Sequence, residues 1–412
     1  MRISTAFYFQ TGLNSLNRQQ GELTKVFQQL GSAKRLITPA DDPLAAAQTL
    51  TLSQSQSMNK RFAENREVAL RNLGEEENVL SSLIPQVYNA KTRLIEAANG
   101  TLADADRNSL AQVFTEMRDS IANLANAQDS DGQYLFSGSK GNEAPFVKQN
   151  DGSYTYAGDT NGRLIQVDQT RQLSGSDNGK DLFLRATPGS NAYLSGADKN
   201  NLGTGVVGGI NVKSGNEAAS LANTITIQYN EADKQFTVDK DGDVSTIDYD
   251  PETASGTLDL GGITVNISGT PKDGDRFSFD KATAKDHDDS LNILNTLNEV
   301  IAALGTPTDA DPAAKAHMQN TLNGAMQRLD LNYDNLLTVR ASVGTRMNEI
   351  DALKDVGSLQ QLHLTSEMSR LEDLNMYSAL TELEMRSAAL EAAAIAFKKI
   401  QSTNLFAINA RG

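Results

Sequence analysis

The sequence predicts a mainly α fold with a β insertion: a long coiled-coil helical rod built from both chain ends, with a β-rich domain inserted in the middle. Three observations predict it. Between Leu371 and Ile408, Met376, Leu383, Leu390 and Phe397 recur every seven residues, the spacing that keeps one helix face against a neighbour. Phe9, Leu16, Leu23 and Leu30 repeat in the same way near the other end. Between the helical halves, residues 138–285 become rich in Gly, Asp, Asn, Ser and Thr, with short alternating runs and turn dipeptides.

The first helix is expected over residues 1–35, with Leu13 and Phe27 flanking its stripe and Gly31 near its end. Thr38-Pro39-Ala40-Asp41-Asp42-Pro43 breaks the period. Asp42 reads as an N-cap and Pro43 as the first helical position, where a missing N–H costs nothing. A long helix then runs to about Ala98, ended by Asn99-Gly100, on a seam of Leu73, Leu80, Val87 and Leu94. Pro85 lies inside it and should kink or split it, because its ring crowds the preceding turn. A further helix, about 104–128, carries Leu110, Met117 and Leu124, with Phe114 and Ile121 alongside.

The middle reads as hairpins. Asn150-Asp151-Gly152 precedes Ser153–Tyr156, Asn161-Gly162 precedes Leu164–Val167, and Thr224–Ile227 alternates toward Tyr229. Asp241-Gly242 follows Phe236-Thr237-Val238, and Pro271-Lys272-Asp273-Gly274 separates Ile263–Ile267 from Phe277-Ser278-Phe279. Residues 186–220, Gly- and Asn-rich, read as a loop.

Helical periodicity returns with Leu291, Leu294, Leu297 and Ile301, stopped at Gly305, and Asp311-Pro312 opens the next helix. Its seam is Leu322, Leu329, Leu336, Val343 and Ile350, supported by Met326, Tyr333, Met347 and Leu353, with Gly357 as a hinge before the terminal helix. There Ala379, Ala393, Ile400 and Ala407 fill the complementary seam positions, Ile408 lies beside them, and Arg386 alone interrupts. Because the β region splits the helical part, the two halves must meet in space. At about 1.5 Å per residue, a helix of about 45 residues runs on the order of 65 Å. The domains are expected as 1–41 with 360–412 (terminal helices), 42–139 with 286–359 (helical bundle) and 140–285 (β insertion).

The chain has 412 residues, a net charge of −15 and no cysteine. That length points to more than one domain. The acidic balance argues against a nucleic-acid or anionic-membrane partner, and the lack of Cys excludes disulfides and thiol chemistry. Met1 to Phe7 holds no apolar core or cleavage site of a secretory signal peptide, leaving open export by an uncleaved signal. No apolar run reaches the ~20 residues that span a bilayer.

No catalytic constellation, cofactor fingerprint or metal motif is present, so no enzyme is expected. Asp239, Asp241, Asp243 and Asp250 lack the glycine and closing glutamate of a calcium loop and read as a solvated hairpin turn. His287, His317 and His363 have no metal-type spacing. Glu75-Glu76-Glu77 reads as a solvated helix face, and Gly203, Gly205, Gly208 and Gly209 as flexible loop. Tyr154 and Tyr156 are too sparse for a glycan-binding face, and a secreted translocator would need an apolar hairpin that is missing.

Several segments resemble the flagellin-like axial proteins of the bacterial flagellum, and among them the hook-associated proteins of the hook–filament junction. At the N-terminal side they are Met1-Arg2-Ile3-Ser4-Thr5, Gly31-Ser32-Ala33-Lys34-Arg35, Pro39-Ala40-Asp41-Asp42-Pro43 and Gly132-Gln133-Tyr134-Leu135-Phe136-Ser137-Gly138. At the other they are Arg340-Ala341-Ser342-Val343-Gly344-Thr345-Arg346-Met347-Asn348, Leu371-Glu372-Asp373-Leu374-Asn375, Ala396-Phe397-Lys398-Lys399-Ile400 and Leu405-Phe406. The stretch Gly262–Phe277 is similar to a strand–turn–strand of such β domains.

The resemblance implies a structural axial protein at the junction of hook and filament, with filament flagellin as the alternative. It implies self-assembly in a tube, with the terminal helices as inner layer, disordered in the free monomer. Neighbours would be the type 1 hook-associated protein and flagellin, a cytoplasmic export chaperone would hold the C-terminal helix, and export would use the flagellar type III route. The assembly residues would be those of the terminal seams: Phe9, Leu13, Leu16, Leu23, Phe27, Leu30, Met376, Leu383, Leu390, Phe397, Ile400 and Ile408. A seam helix alone cannot bury its stripe, so it stays soluble by being disordered, chaperoned or assembled.

Overall fold

The computed structural model describes residues 5–213, 221–251, 256–286 and 289–409. It is mainly α with a β insertion, as expected. The helices are α1 (Thr5–Ser32), α2 (Pro43–Ala97), α3 (Asp104–Ala125), α4 (Gly179–Phe183), α5 (Ile293–Gly305), α6 (Pro312–Glu372) and α7 (Met376–Asn409). The chain packs as two compact units, Met1–Glu64 with Leu353–Gly412, and Asn65–Ala352. Helices α2 and α6 contribute to both.

In the Asn65–Ala352 unit the seven-residue seams form the core. Leu73, Leu80, Val87 and Leu94 of α2, and Leu322, Leu329, Leu336, Val343 and Ile350 of α6, are fully buried. Helix α3 packs on α5. Its buried face is turned from the expected one: Ala111, Phe114, Ile121, Ala122 and Ala125 face inward, while Leu110, Met117 and Leu124 are half-buried. Small alanines give close approach, which hydrophobicity alone does not reveal.

Pro85 does not split α2. It lies on the exposed side of the helix, where the carbonyl it leaves unpaired is open to solvent. Gly357 is not a break either. It lies inside α6, buried, and its carbonyl accepts the Asn59 side-chain amide of α2 at 2.8 Å.

The insertion begins with two short hairpins, β1 (Phe146–Lys148) with β2 (Tyr154–Tyr156), and β3 (Leu164–Gln166) with β4 (Gln172–Ser174). It continues with β5 (Tyr193–Ala197), β6 (Val206–Val212), β7 (Thr224–Asn230), β8 (Gln235–Lys240), β9 (Asp243–Asp248), β10 (Thr257–Asp259), β11 (Ile263–Ser268) and β12 (Arg276–Lys281). One antiparallel sheet runs β5-β12-β7-β8-β9, another β10-β11-β6. Their inward side chains, among them Ile227, Phe236, Val238, Val265 and Phe277, share one core.

Two expectations are corrected here. Residues 186–220 contain β5 and β6, which pair with β12 and β11; residues 214–220 lie outside the described ones. Gly196, Gly208 and Gly209 hide these strands because glycine contributes nothing to a polar–apolar alternation, and the β6–β11 register shifts between Val265 and Ile267. Nor do β11 and β12 form a hairpin; the Pro271–Gly274 turn carries the chain from one sheet to the other. Asp241-Gly242 does close the β8–β9 hairpin. Both residues have positive φ, 50° and 98°, as the two-residue turn that matches strand twist requires.

Helix side-chain amides stand in for missing strands. Asn126 donates to the Phe146 carbonyl and accepts its N–H, both at 2.9 Å. Asn295 does the same for Tyr154 at 3.0 and 2.7 Å, and Asn320 accepts the Val207 N–H at 2.8 Å while donating to the Gly205 carbonyl. These bonds satisfy strand edges that would otherwise template another chain.

Candidate assembly interface

Within the Met1–Glu64 and Leu353–Gly412 unit, α1 and α7 pack antiparallel. A glycine lets them approach: a Cβ on Gly12 would stand 2.9 Å from the Phe397 ring. Midway, Arg386 lies 3.5 Å from Glu22 of α1 and 2.7 Å from Glu382 of its own helix. At the far end Lys34 pairs with Glu372 at 2.7 Å. There the backbone joins too, Arg35 N–H donating to the Glu372 carbonyl at 2.7 Å and Leu374 N–H to that of Ala33 at 3.0 Å.

The turn after α1 is organised by two carboxylates. Asp41 accepts the N–H groups of Ile37 and Thr38 at 3.1 and 2.8 Å and pairs with Lys25 at 2.7 Å. The Lys25 ammonium, then the Thr38 N–H, holds its carboxyl well below the usual range. Asp42 caps α2 by accepting the Ala45 N–H at 3.1 Å, and that bond is the main cause of its lowered pKa.

The terminal seam residues lie on this pair, but none of those described is closed off. Leu16, Leu23, Leu30, Leu383, Leu390 and Phe397 are half-buried; Leu13, Phe27 and Met376 are exposed. Phe9, Ile400 and Ile408 lie on helical backbone, their side chains outside the described ones. Among the described residues of α1 and α7 only Val26 and Ala379 are buried, 3% and 4% exposed, whereas Tyr377 is 88% and Ile395 69% exposed. Fully burying a Leu, Phe or Met contributes about 1.5–3 kcal/mol, so this pair leaves most of its hydrophobic stabilisation unrealised in one chain.

Several residues here were not legible as site residues. Gly12 and Val26 lie off the seven-residue repeat, and the Glu22–Arg386 and Lys25–Asp41 pairs join segments whose contact no local pattern announces. The one available signal was Arg386, a charge at a seam position.

No group of acidic, His or Cys side chains able to hold a metal exists among the described residues. Asp239 and Asp241 are taken up by the turn, accepting N–H groups of Gly242, Asn223 and Thr224. His317 Nε2 lies 2.8 Å from the Asn201 carbonyl, and His287 falls outside the described residues. The glutamate run is not simply solvated. Glu76 is fully buried and accepts the Asp177 N–H at 3.2 Å, while Arg346 pairs with the Asp177 carboxylate. Burial first, then the Asp177 carboxylate, raises the Glu76 pKa well above the ordinary range. No described helix is long and apolar enough to cross a membrane.

Residues 3–141 match the model of the bacterial flagellin N-terminal helical region. Over 99% of this chain and all of the relative, the sequence is 28% identical to flagellar hook-associated protein 3 of Escherichia coli (strain K12). The crystal structure of FlgL from Xanthomonas campestris superposes with a TM-score of 0.64 at 26% identity, covering 77% of this chain and 99% of that one. A flagellin from Clostridium tyrobutyricum is 19% identical over 90% of this chain and 91% of its own length. The likeness to hook-associated protein 3 thus runs over nearly the whole of this chain.

Proposed function

We infer that this chain is a flagellin-like axial protein of the bacterial flagellum, a structural component of the junction between hook and filament, and not an enzyme. The observation that carries this is the end-to-end likeness to hook-associated protein 3, stronger than the likeness to flagellin, in a chain whose terminal helices expose apolar side chains. The alternative of a filament flagellin is disfavoured by that difference.

Function divides the chain more finely than packing does. Residues 1–41 and 360–412 form the inner layer of a tube of copies and are largely disordered in the free monomer, where the α1–α7 pair forms only transiently. Residues 42–139 and 286–359 form the next layer, and residues 140–285 face solvent. The contacts between copies are made by Leu13, Leu16, Leu23, Phe27 and Leu30 with Phe9 on α1, and by Met376, Leu383, Leu390 and Phe397 with Ile400 and Ile408 on α7. The type 1 hook-associated protein lies on one side and flagellin on the other. Before export by the flagellar type III route a cytoplasmic chaperone covers the C-terminal helix. What supports this is physical: a helix that exposes a stripe of Leu, Met and Tyr in one chain is stabilised when copies cover it.

Deleting the gene should leave cells with hooks but no filaments, by electron microscopy, and unpolymerised flagellin in the medium. Normal filaments on the deletion strain would refute the junction role.

A further inference from the structure

The repeat that brings α1 and α7 together does not say at which alignment they meet. Sliding one helix past the other by seven residues puts Leu16 in the place of Leu23, or Leu390 in that of Leu383, and leaves the apolar seam unchanged in kind. Two contacts break this degeneracy. Arg386 stands in the seam seven residues after Ala379, and its guanidinium meets the Glu22 carboxylate across the pair at 3.5 Å. One turn along α1 from Glu22, Lys25 pairs with Asp41, so charges alternate from Asp41 through Lys25, Glu22 and Arg386 to Glu382. After a seven-residue slip Arg386 faces Ser15 or Gln29, and Glu22 faces an alanine, Ala379 or Ala393. A half-buried guanidinium then loses its partner on the other helix. The second contact is steric. The Phe397 ring lies where Gly12 has no side chain, and a slip sets Thr5 or Gln19 in that place.

We propose that the Glu22–Arg386 pair and the Gly12–Phe397 notch together form a register lock, selecting one antiparallel alignment of the terminal helices from a set related by seven-residue slips. The lock fixes which apolar side chains of α1 and α7 face outward. It acts within one chain whenever the α1–α7 pair forms, transiently in the free monomer and persistently on assembly, independent of where in the cell that chain assembles. Only the use of the outward face rests on the axial reading.

The chain has no cysteine, so introduced pairs report alignment cleanly. Gly12→Cys with Phe397→Cys marks the aligned state, and Gly12→Cys with Leu390→Cys and Phe397→Ala marks the slipped one. Both remove the notch and leave the charges to choose. On mild oxidation of the dilute full-length chain, the aligned pair should crosslink about fivefold or more over the slipped pair, the scale of one well-placed ion pair. Arg386→Gln should bring the two yields toward parity, and adding Glu22→Gln should change little further, since each residue acts through the other. Parity with both charges present would overturn the lock, as would an undiminished preference in Arg386→Gln.

Discussion

Glu76 is the residue where local reading fails and physical reasoning most changes the picture. It sits in a run of three glutamates, which by default face water, yet its carboxylate is fully buried against Asp177, 101 positions away, beside Arg346. No local pattern could place that partner. A carboxyl whose folded pKa is raised contributes stability below its unfolded value, about pH 4, and loses it as the pH rises through the folded value. Glu76→Gln keeps the acceptor for the Asp177 N–H and removes the charge. It should raise the melting temperature at pH 8, and by progressively less toward pH 4, in thermal scans followed by circular dichroism. An equal shift at both pH values would point to shape instead of charge. Asp41 has the opposite sign. Its carboxyl is held low by Lys25, so what it adds to the turn after α1 is present above the unfolded value and fades as acid protonates it.

Among the elements, legibility followed side-chain size and period. The seams of α2 and α6 were readable because Leu, Val and Ile recur at one spacing and all nine named positions are fully buried. The buried face of α3 is turned from the apolar stripe because three of its seven buried residues are alanines and two are arginines. Strands β5 and β6 carry no clear alternation because glycines interrupt it, and in β6 a register shift against β11 breaks it again. In the terminal pair the seams were readable, but the contacts fixing their alignment depend on charge and on an absent side chain. The two kinds of seam should respond differently to substitution. Leu336→Ala empties a closed site in α6 and should cost about 2–5 kcal/mol in denaturant unfolding. Met385→Ser, on an exposed face of α7, should change the unfolding of the free chain by less than about 0.5 kcal/mol while reducing assembly. Equal costs in the free chain would mean that α7 is already covered there.

For the whole molecule, the two compact units differ in what one chain can do alone. Residues 65–352 close their own core, built from helix seams and two sheets. Residues 1–64 and 353–412 bury only Val26, Ala45, Asn59, Gly357, Leu364 and Ala379 among the described ones, although their helices are long. Stability in a helix this exposed depends on tertiary packing more than on propensity. Copies of the chain are therefore the proposed source of the missing burial, which suits a chain similar over nearly its whole length to hook-associated protein 3. The most direct measurement is hydrogen exchange of the free chain at low concentration, read segment by segment by mass spectrometry and repeated on the assembled form. The expected result is fast exchange in α1 and α7 of the free chain, slow exchange through residues 312–352 of α6 and the β sheets, and protection of α1 and α7 only on assembly. Slow exchange of α1 and α7 in the lone chain, unchanged on assembly, would contradict it.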